Sequence, residues 1–194
     1  MSLSRFALVA FAMIVLSTAS ATFGQGRPDS AALMAAERDA MKPLAMMDGV
    51  WRGPAETVLP SGEKHRVTQT ERIGPFLGGT IKLLEGRGYN EDGTVGFNAF
   101  GIVSYDPANK TYSLHSHALG LAGDFSFKPT ADGYVWEIPA GPMIIRYTAV
   151  IKDGAWREVG DRIIPGKDPV RFFEMNLKRV GDSDWPGAGA ISPK

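Results

Sequence analysis

The sequence predicts an all-β domain: about ten antiparallel strands running up and down and closing into a barrel, preceded by one short helix. Three observations predict it. From Val50 onward, segments rich in Val, Ile, Phe, Tyr, Trp and Thr recur at regular spacing. They are separated by short turn signals: Pro60-Ser61-Gly62, Gly74-Pro75, Gly78-Gly79, Asn90 to Gly93, Asp106 to Asn109, Asp132-Gly133, Gly141-Pro142, Asp153-Gly154 and Pro165 to Pro169. No helical pattern interrupts the strands, which argues against a parallel α/β sheet. A meander of this many strands hides its edges best by closing on itself. A two-sheet sandwich is the rival arrangement.

The chain opens as an export leader. Arg5 supplies the positive start, Phe6 to Leu16 the apolar run, and Ala19-Ser20-Ala21 a small-residue cleavage site. The apolar run is shorter than the roughly 20 residues that cross a bilayer as a helix. Residues 1–21 are therefore expected to be removed after Ala21, leaving a periplasmic or extracellular protein. No later segment is long and apolar enough to span, so no membrane partner is expected after cleavage.

Residues 22–46 carry the helix, expected over Ser30 to Met41, where Ala, Met, Leu and Glu predominate. Asp29 or Ser30 caps it, Leu33, Ala36, Ala40 and Met41 share a face, and Pro43 ends it. The barrel occupies 47–180. Its strands are expected at Gly49–Val58, Lys64–Ile73, Thr80–Tyr89, Val95–Tyr105, Thr111–Leu119, Ala122–Lys128, Gly133–Pro139, Met143–Lys152, Ala155–Ile164 and Val170–Val180. Residues 181–194 are rich in Gly, Pro and Ser and read as a flexible tail.

Composition removes several function classes. The 21 basic and 21 acidic residues balance, and no Lys/Arg stripe offers a footprint for nucleic acid. With no cysteine, disulfides, thiolate metal sites and cysteine nucleophiles are all excluded. No Ser lies in a G-x-S-x-G context.

The first strand is entered as Met47-Asp48-Gly49-Val50-Trp51-Arg52-Gly53, a G-x-W-x-G after a short helix. This resembles the opening of the calycins, the superfamily of lipocalins, fatty-acid-binding proteins and nitrobindins. Gly101-Ile102-Val103-Ser104-Tyr105-Asp106-Pro107 and Thr111-Tyr112 are similar to a bacterial lipocalin-like branch of unknown function. The resemblance covers about Leu44 to Val180 and implies a barrel with Trp51 plugging its floor. It further implies a basic residue of the last strand, Arg179 or Lys178, packed over that ring by a cation–π contact. Gly49 and Gly53 then give backbone clearance.

Several residues are candidates for chemistry. His115 and His117 sit at i and i+2 of one strand and share a face. An inward pair could hold a metal or polar group, but two imidazoles are an incomplete zinc site. Tyr112, Leu114, Ser116 and Ala118 form the more apolar face, which points the histidines to solvent. No metal and no cofactor is expected. Haem, held in nitrobindins by one histidine on a late strand, finds no histidine after His117. His65, between Lys64 and Arg66, reads as a surface position.

Arg146, if inward, would anchor an anion as the arginine of fatty-acid-binding proteins does; if outward, its stem packs on the wall. Tyr147 lies on the opposite face of that strand. Glu158 and Glu174 could meet on adjacent strands for acid–base work, or form rim ion pairs with Arg157, Arg162 or Arg171. Asn109-Lys110-Thr111 matches a glycosylation acceptor, but reads more simply as a hairpin turn.

The leading expectation is an exported binding barrel for a small, largely apolar ligand, lined by Trp51, Trp136, Tyr147 and either Arg146 or the histidines. Its rivals are a metal- or haem-assisted enzyme using His115 and His117, and a fully packed structural barrel. The G-x-W resemblance carries a fold, not an activity.

Overall fold

The computed structural model describes residues 29–187 and 191. The leader and cleavage site expected over residues 1–21 lie outside the described residues. Helix α1 spans Ser30–Met41, and the Asp29 carboxylate caps it by accepting from the amides of Ala31 and Ala32 at 3.0 and 3.3 Å. Of the expected apolar face only Met41 is buried, and Leu33 is exposed. Pro43 does not simply stop the chain's helical path. It opens a 3-10 helix over Lys42–Met47, where its missing N–H has no partner to lose. Leu44 and Met47 of that turn are 0% exposed, because it caps one end of the barrel.

Ten strands follow: β1 (Gly49–Val58), β2 (Lys64–Phe76), β3 (Ile81–Tyr89), β4 (Val95–Asp106), β5 (Thr111–Ala118), β6 (Leu121–Thr130), β7 (Gly133–Ala140), β8 (Met143–Lys152), β9 (Ala155–Ile163) and β10 (Val170–Gly181). Each pairs antiparallel with its sequence neighbours, and β1 pairs with β10 to close the barrel. The sandwich alternative is thereby removed. One turn moves: β2 runs through Gly74-Pro75, with Pro75 opposite Lys82, and the chain reverses at Leu77–Gly79 instead. Gly78 and Gly79 hold the positive φ (67° and 87°) that this reversal needs. Pro75 sits near the strand's end, where the absent N–H costs little.

Opposed residues of an antiparallel pair share a face, so the register assigns the interior. Trp51 is 1% exposed and lies opposite Glu71, which lies opposite Gly86 and then Ala99. On the other side, Ile151 lies opposite Trp156, and Trp156 opposite Leu177. The inward sets of β7, β8 and β9 are Tyr134, Trp136 and Ile138; Ile145, Tyr147 and Ala149; and Trp156, Glu158, Gly160 and Arg162. The end beside the two helices is closed. The opposite end is ringed by the turns at 59–63, 90–94, 119–120, 141–142 and 164–169.

The closed end carries the densest core. Trp51, Trp156, Ile73, Val103 and Leu177 are all at or below 2% exposure. The two indoles meet edge-on at 5.6 Å, and Trp51 Nε1 donates to the Met47 carbonyl at 2.8 Å, tying plug to wall. The glycines of G-x-W-x-G are steric necessities. A Cβ on Gly49, whose φ is +121°, would lie 2.7 Å from the Arg179 guanidinium, and one on Gly53 would lie 2.1 Å from the Asn176 carbonyl.

Arg179 stands opposite Trp51, as the resemblance implies, but its guanidinium does not lie over the indole. It donates to the Asp48 carbonyl at 3.2 Å and to the Asp182 carboxylate, which satisfy its N–H groups better than a π face does. Lys178 faces outward opposite Arg52. Past β10, Trp185 lies beneath Arg72, with the guanidinium 4.6 Å from the ring centroid, so this part of the tail has a tertiary contact.

Candidate functional site

Above the sealed floor the interior changes character. Trp136 and Tyr147 stack face to face at 4.3 Å with 7° between their planes. Phe125 tilts against Trp136 at 5.8 Å, and Phe173 meets Tyr147 edge-on at 5.8 Å. All four rings point inward by register, yet all remain only half-buried. Val67, Ile138 and Ile145, also inward, share that partial exposure. The strand wall covers these side chains from outside, so water reaches them down the axis of the barrel. The upper half is a funnel open at the turn-bearing end. A hollow of about 370 Å³ lies beside the β5–β6 turn, lined by inward Ala99 and Ala118 and by outward Asn98, Phe100 and His117.

Two carboxyl groups stand at the foot of the funnel. Glu158 is 7% exposed and accepts from the Tyr134 hydroxyl and from Trp136 Nε1 at 3.1 Å. Burial pushes its pKa up, and these donors pull against the rise. The indole N–H of Trp156 also bears on this carboxylate, but it closes no hydrogen bond and is left buried without a partner. Glu71 accepts from Gln69 Nε2 at 2.6 Å, and Gly86 leaves room beside it: a Cβ there would lie 2.6 Å from Glu71 Oε1. Burial is the main reason the Glu71 pKa is pushed up to about 8; the negative charges of Glu158 and Glu85 add to it, and Gln69 opposes it. Glu71 as a residue is only partly buried. Burial likewise drives Tyr147 up to about 12, with Glu158 adding and Arg162 opposing.

Among the described residues neither carboxyl has a cation bonded to it. Arg72 and Arg87 bind Glu85, Arg146 binds Glu137, Arg157 binds Glu174 and Arg171 binds Asp161. Each of these pairs lies on the outer face. Lys82 is inward and 2% exposed, but it pairs with Asp48 at the closed end. Arg162 is inward near the rim, 4.5 Å over the Phe172 ring.

Of the residues expected to line a ligand, Trp51, Trp136 and Tyr147 face inward, though Trp51 belongs to the sealed floor. His115, His117 and Arg146 face outward. His115 Nδ1 is 2.8 Å from Asp124 and its Nε2 is 3.1 Å from His117 Nε2. Leu114 and Ser116 take the inward positions of β5, because only they lie opposite Val103 and Gly101. Arg146 holds Glu137 at 2.6 Å on the outer wall. Glu158 and Glu174 do not meet: Glu174 is opposite Val159, on the outer face. Glu71 is the residue that sequence reasoning missed. Its signal is period-two: Val67, Gln69, Glu71 and Ile73 share a face whose two ends are apolar.

Haem held by histidine does not fit these residues. The inward positions of β10 are Phe173, Met175 and Leu177, both β5 histidines face away, and His65, on the inward face of β2, stands exposed at the rim beyond the aromatic wall. Among the described residues, no three His, Asp or Glu side chains are grouped to hold a metal ion.

No family model and no curated protein matches this chain. Solved structures do. The crystal structure of Rv2717c from M. tuberculosis matches with a TM-score of 0.55 at 12% identity, covering 72% of this chain and 96% of that one. What the two share is the fold, which here is a closed ten-stranded antiparallel barrel. The S-type phycobiliprotein lyase CPES from Guillardia theta is a more distant likeness, with a TM-score of 0.47 at 9% identity over 71% of this chain and 89% of that one. At such identities the likeness concerns the fold alone.

Proposed function

We propose that the protein is an exported binding protein whose barrel receives a small, largely apolar ligand through its open end. The observation that carries this reading is the set of inward aromatic and aliphatic side chains that stay half-buried in the upper half. Ligand sites are concave and mainly apolar, with a few placed polar groups. Trp136, Tyr147, Phe125 and Phe173 supply the apolar wall, and Glu71, Glu158 and Arg162 the polar points. The sealed floor makes the funnel a container rather than a channel. The leader-like residues 1–21 support export.

Two measurements test this. Titration with the neutral apolar dye N-phenyl-1-naphthylamine should give saturable, blue-shifted fluorescence, and native mass spectrometry of protein from its host should show an added small mass. Bare polypeptide together with no saturable dye binding would show instead a barrel filled by its own side chains. Export is checked by fractionation and N-terminal sequencing, which should begin at Thr22.

A further inference from the structure

We propose that the funnel selects ligands carrying a positively charged amine, seated at its foot between Glu71 and the π faces of Trp136 and Tyr147. This rests on the container reading above. Four observations converge on it.

First, Glu71 on β2 and Glu158 on β9 both point into the chamber, and the partners they have are neutral: an amide, a phenol and an indole. Buried carboxylates are normally matched by a cation, but Arg72, Arg87, Arg146 and Arg157 are bonded outside the wall, and inward Arg162 lies over Phe172 nearer the rim. Second, Glu71 has one oxygen bonded to Gln69; the other has no hydrogen-bond partner among the described residues, and the residue is only partly buried. Third, the stacked rings of Trp136 and Tyr147 offer a π surface beside Glu158, which accepts from Trp136 Nε1, and π faces hold ammonium groups. Fourth, the Trp156 N–H, which bears on Glu158 without closing a hydrogen bond, is buried at 2% exposure with no acceptor. A lone buried donor costs about 1–3 kcal/mol. The water that accompanies an ammonium, or an oxygen beside the amine, would satisfy it.

The charged groups that face Glu71 are few. Glu158 comes from β9 and Tyr134 from β7, with Glu85 behind it on β3, already held by Arg72 and Arg87. Lys82 is occupied by Asp48, and Arg179 by the Asp48 carbonyl and Asp182. Arg162 stands higher, at the rim. With its pKa held near 8, Glu71 carries a proton at pH 7. An arriving ammonium therefore displaces that proton to solvent: the carboxylic acid becomes carboxylate, and the ligand stays protonated. Affinity should rise about tenfold per pH unit below pH 8 and level off above it.

The test is calorimetric titration of the full mature chain at pH 7 with decylammonium, decanol and decanoate, each below its micellar concentration, in phosphate and in Tris. The inference expects decylammonium to bind at least about tenfold tighter than decanol, to release about one proton, and to lose its advantage over decanol in Glu71→Gln. If decanol and decylammonium bind equally, or Glu71→Gln keeps the preference, the inference falls and the container reading stands. If none of the three binds, the container reading itself falls. Should Glu71→Gln fail to fold by circular dichroism, the wild-type chain decides: amine binding without proton release overturns the proposal.

Discussion

The two halves of the barrel are made from the same strands but serve opposite ends. At the helix-bearing end Trp51, Trp156, Ile73, Val103 and Leu177 are sealed, and the 3-10 helix drives Leu44 and Met47 into the bore. At the other end, inward rings stay wet and the ring of turns leaves Leu59, Val95, Leu119, Leu121 and Val170 exposed. Plugging costs nothing extra where a chain segment is already at hand. The open end has only turns, too short to cross the bore. Stability is thus concentrated in the lower half, and the upper half is left free to bind.

Mutation can break that contrast. Trp156→Ala removes a floor indole and should cost about 3–5 kcal/mol, read from the urea midpoint. Phe173→Ala, in the half-buried upper wall, should cost clearly less, about 1–2 kcal/mol, since less area is lost from burial. Equal losses would mean that the upper half is packed as tightly as the floor.

The next effect is a pH dependence. The Glu71 pKa is raised from 4.5 to about 8, so between these values the folded chain binds more protons than the unfolded one. Stability from this group is full below pH 4.5, is lost as pH rises towards 8 and is flat above, a change on the order of a few kcal/mol. Glu158, shifted in the same direction, acts with the same sign. Thermal melts from pH 5 to 9 should show the decline, and Glu71→Gln should flatten it. A wild-type curve already flat over that range would move Glu71 out of the low-polarity interior.

Smaller still is a pair of glycine tests. Gly53→Ala places a Cβ 2.1 Å from a backbone oxygen that cannot yield, and should cost roughly 1–3 kcal/mol. Gly123→Ala meets the Phe125 ring at 2.7 Å, and that ring can swing into the funnel, so the loss should be less. Denaturation midpoints rank the two; the reverse order would deny the funnel its space. Smallest are His115→Ala, His117→Ala and Arg146→Ala on the outer wall, expected within about 0.5 kcal/mol of wild type and with dye binding unchanged. A loss of binding in any of them would relocate the site.

Much of this architecture is legible in the chain. The turn signals place the strands, and on β5 the apolar set Tyr112, Leu114, Ser116 and Ala118 already marks the inward face. On β8 and β9 both faces are mixed, and the alternation groups Trp156, Glu158, Gly160 and Arg162 without saying where they point. Glu158 therefore reads as a rim residue, and Glu71, in the polar run from Lys64 to Arg72, draws no notice. The cation–π contact implied for Arg179 also depends on what else its guanidinium can reach.

Local chemistry by itself determined the helix, the run of strands and the reversals between them, because period-two alternation and turn preferences act over a few residues. Only the tertiary structure decided which face of each strand looks inward and which end stays open. A strand has two faces, and it takes the pairing of β1 with β10, more than a hundred residues apart, to make one of them an interior. The same closure brings an acid of β2 and an acid of β9 into one chamber, a proximity that no spacing along the chain encodes.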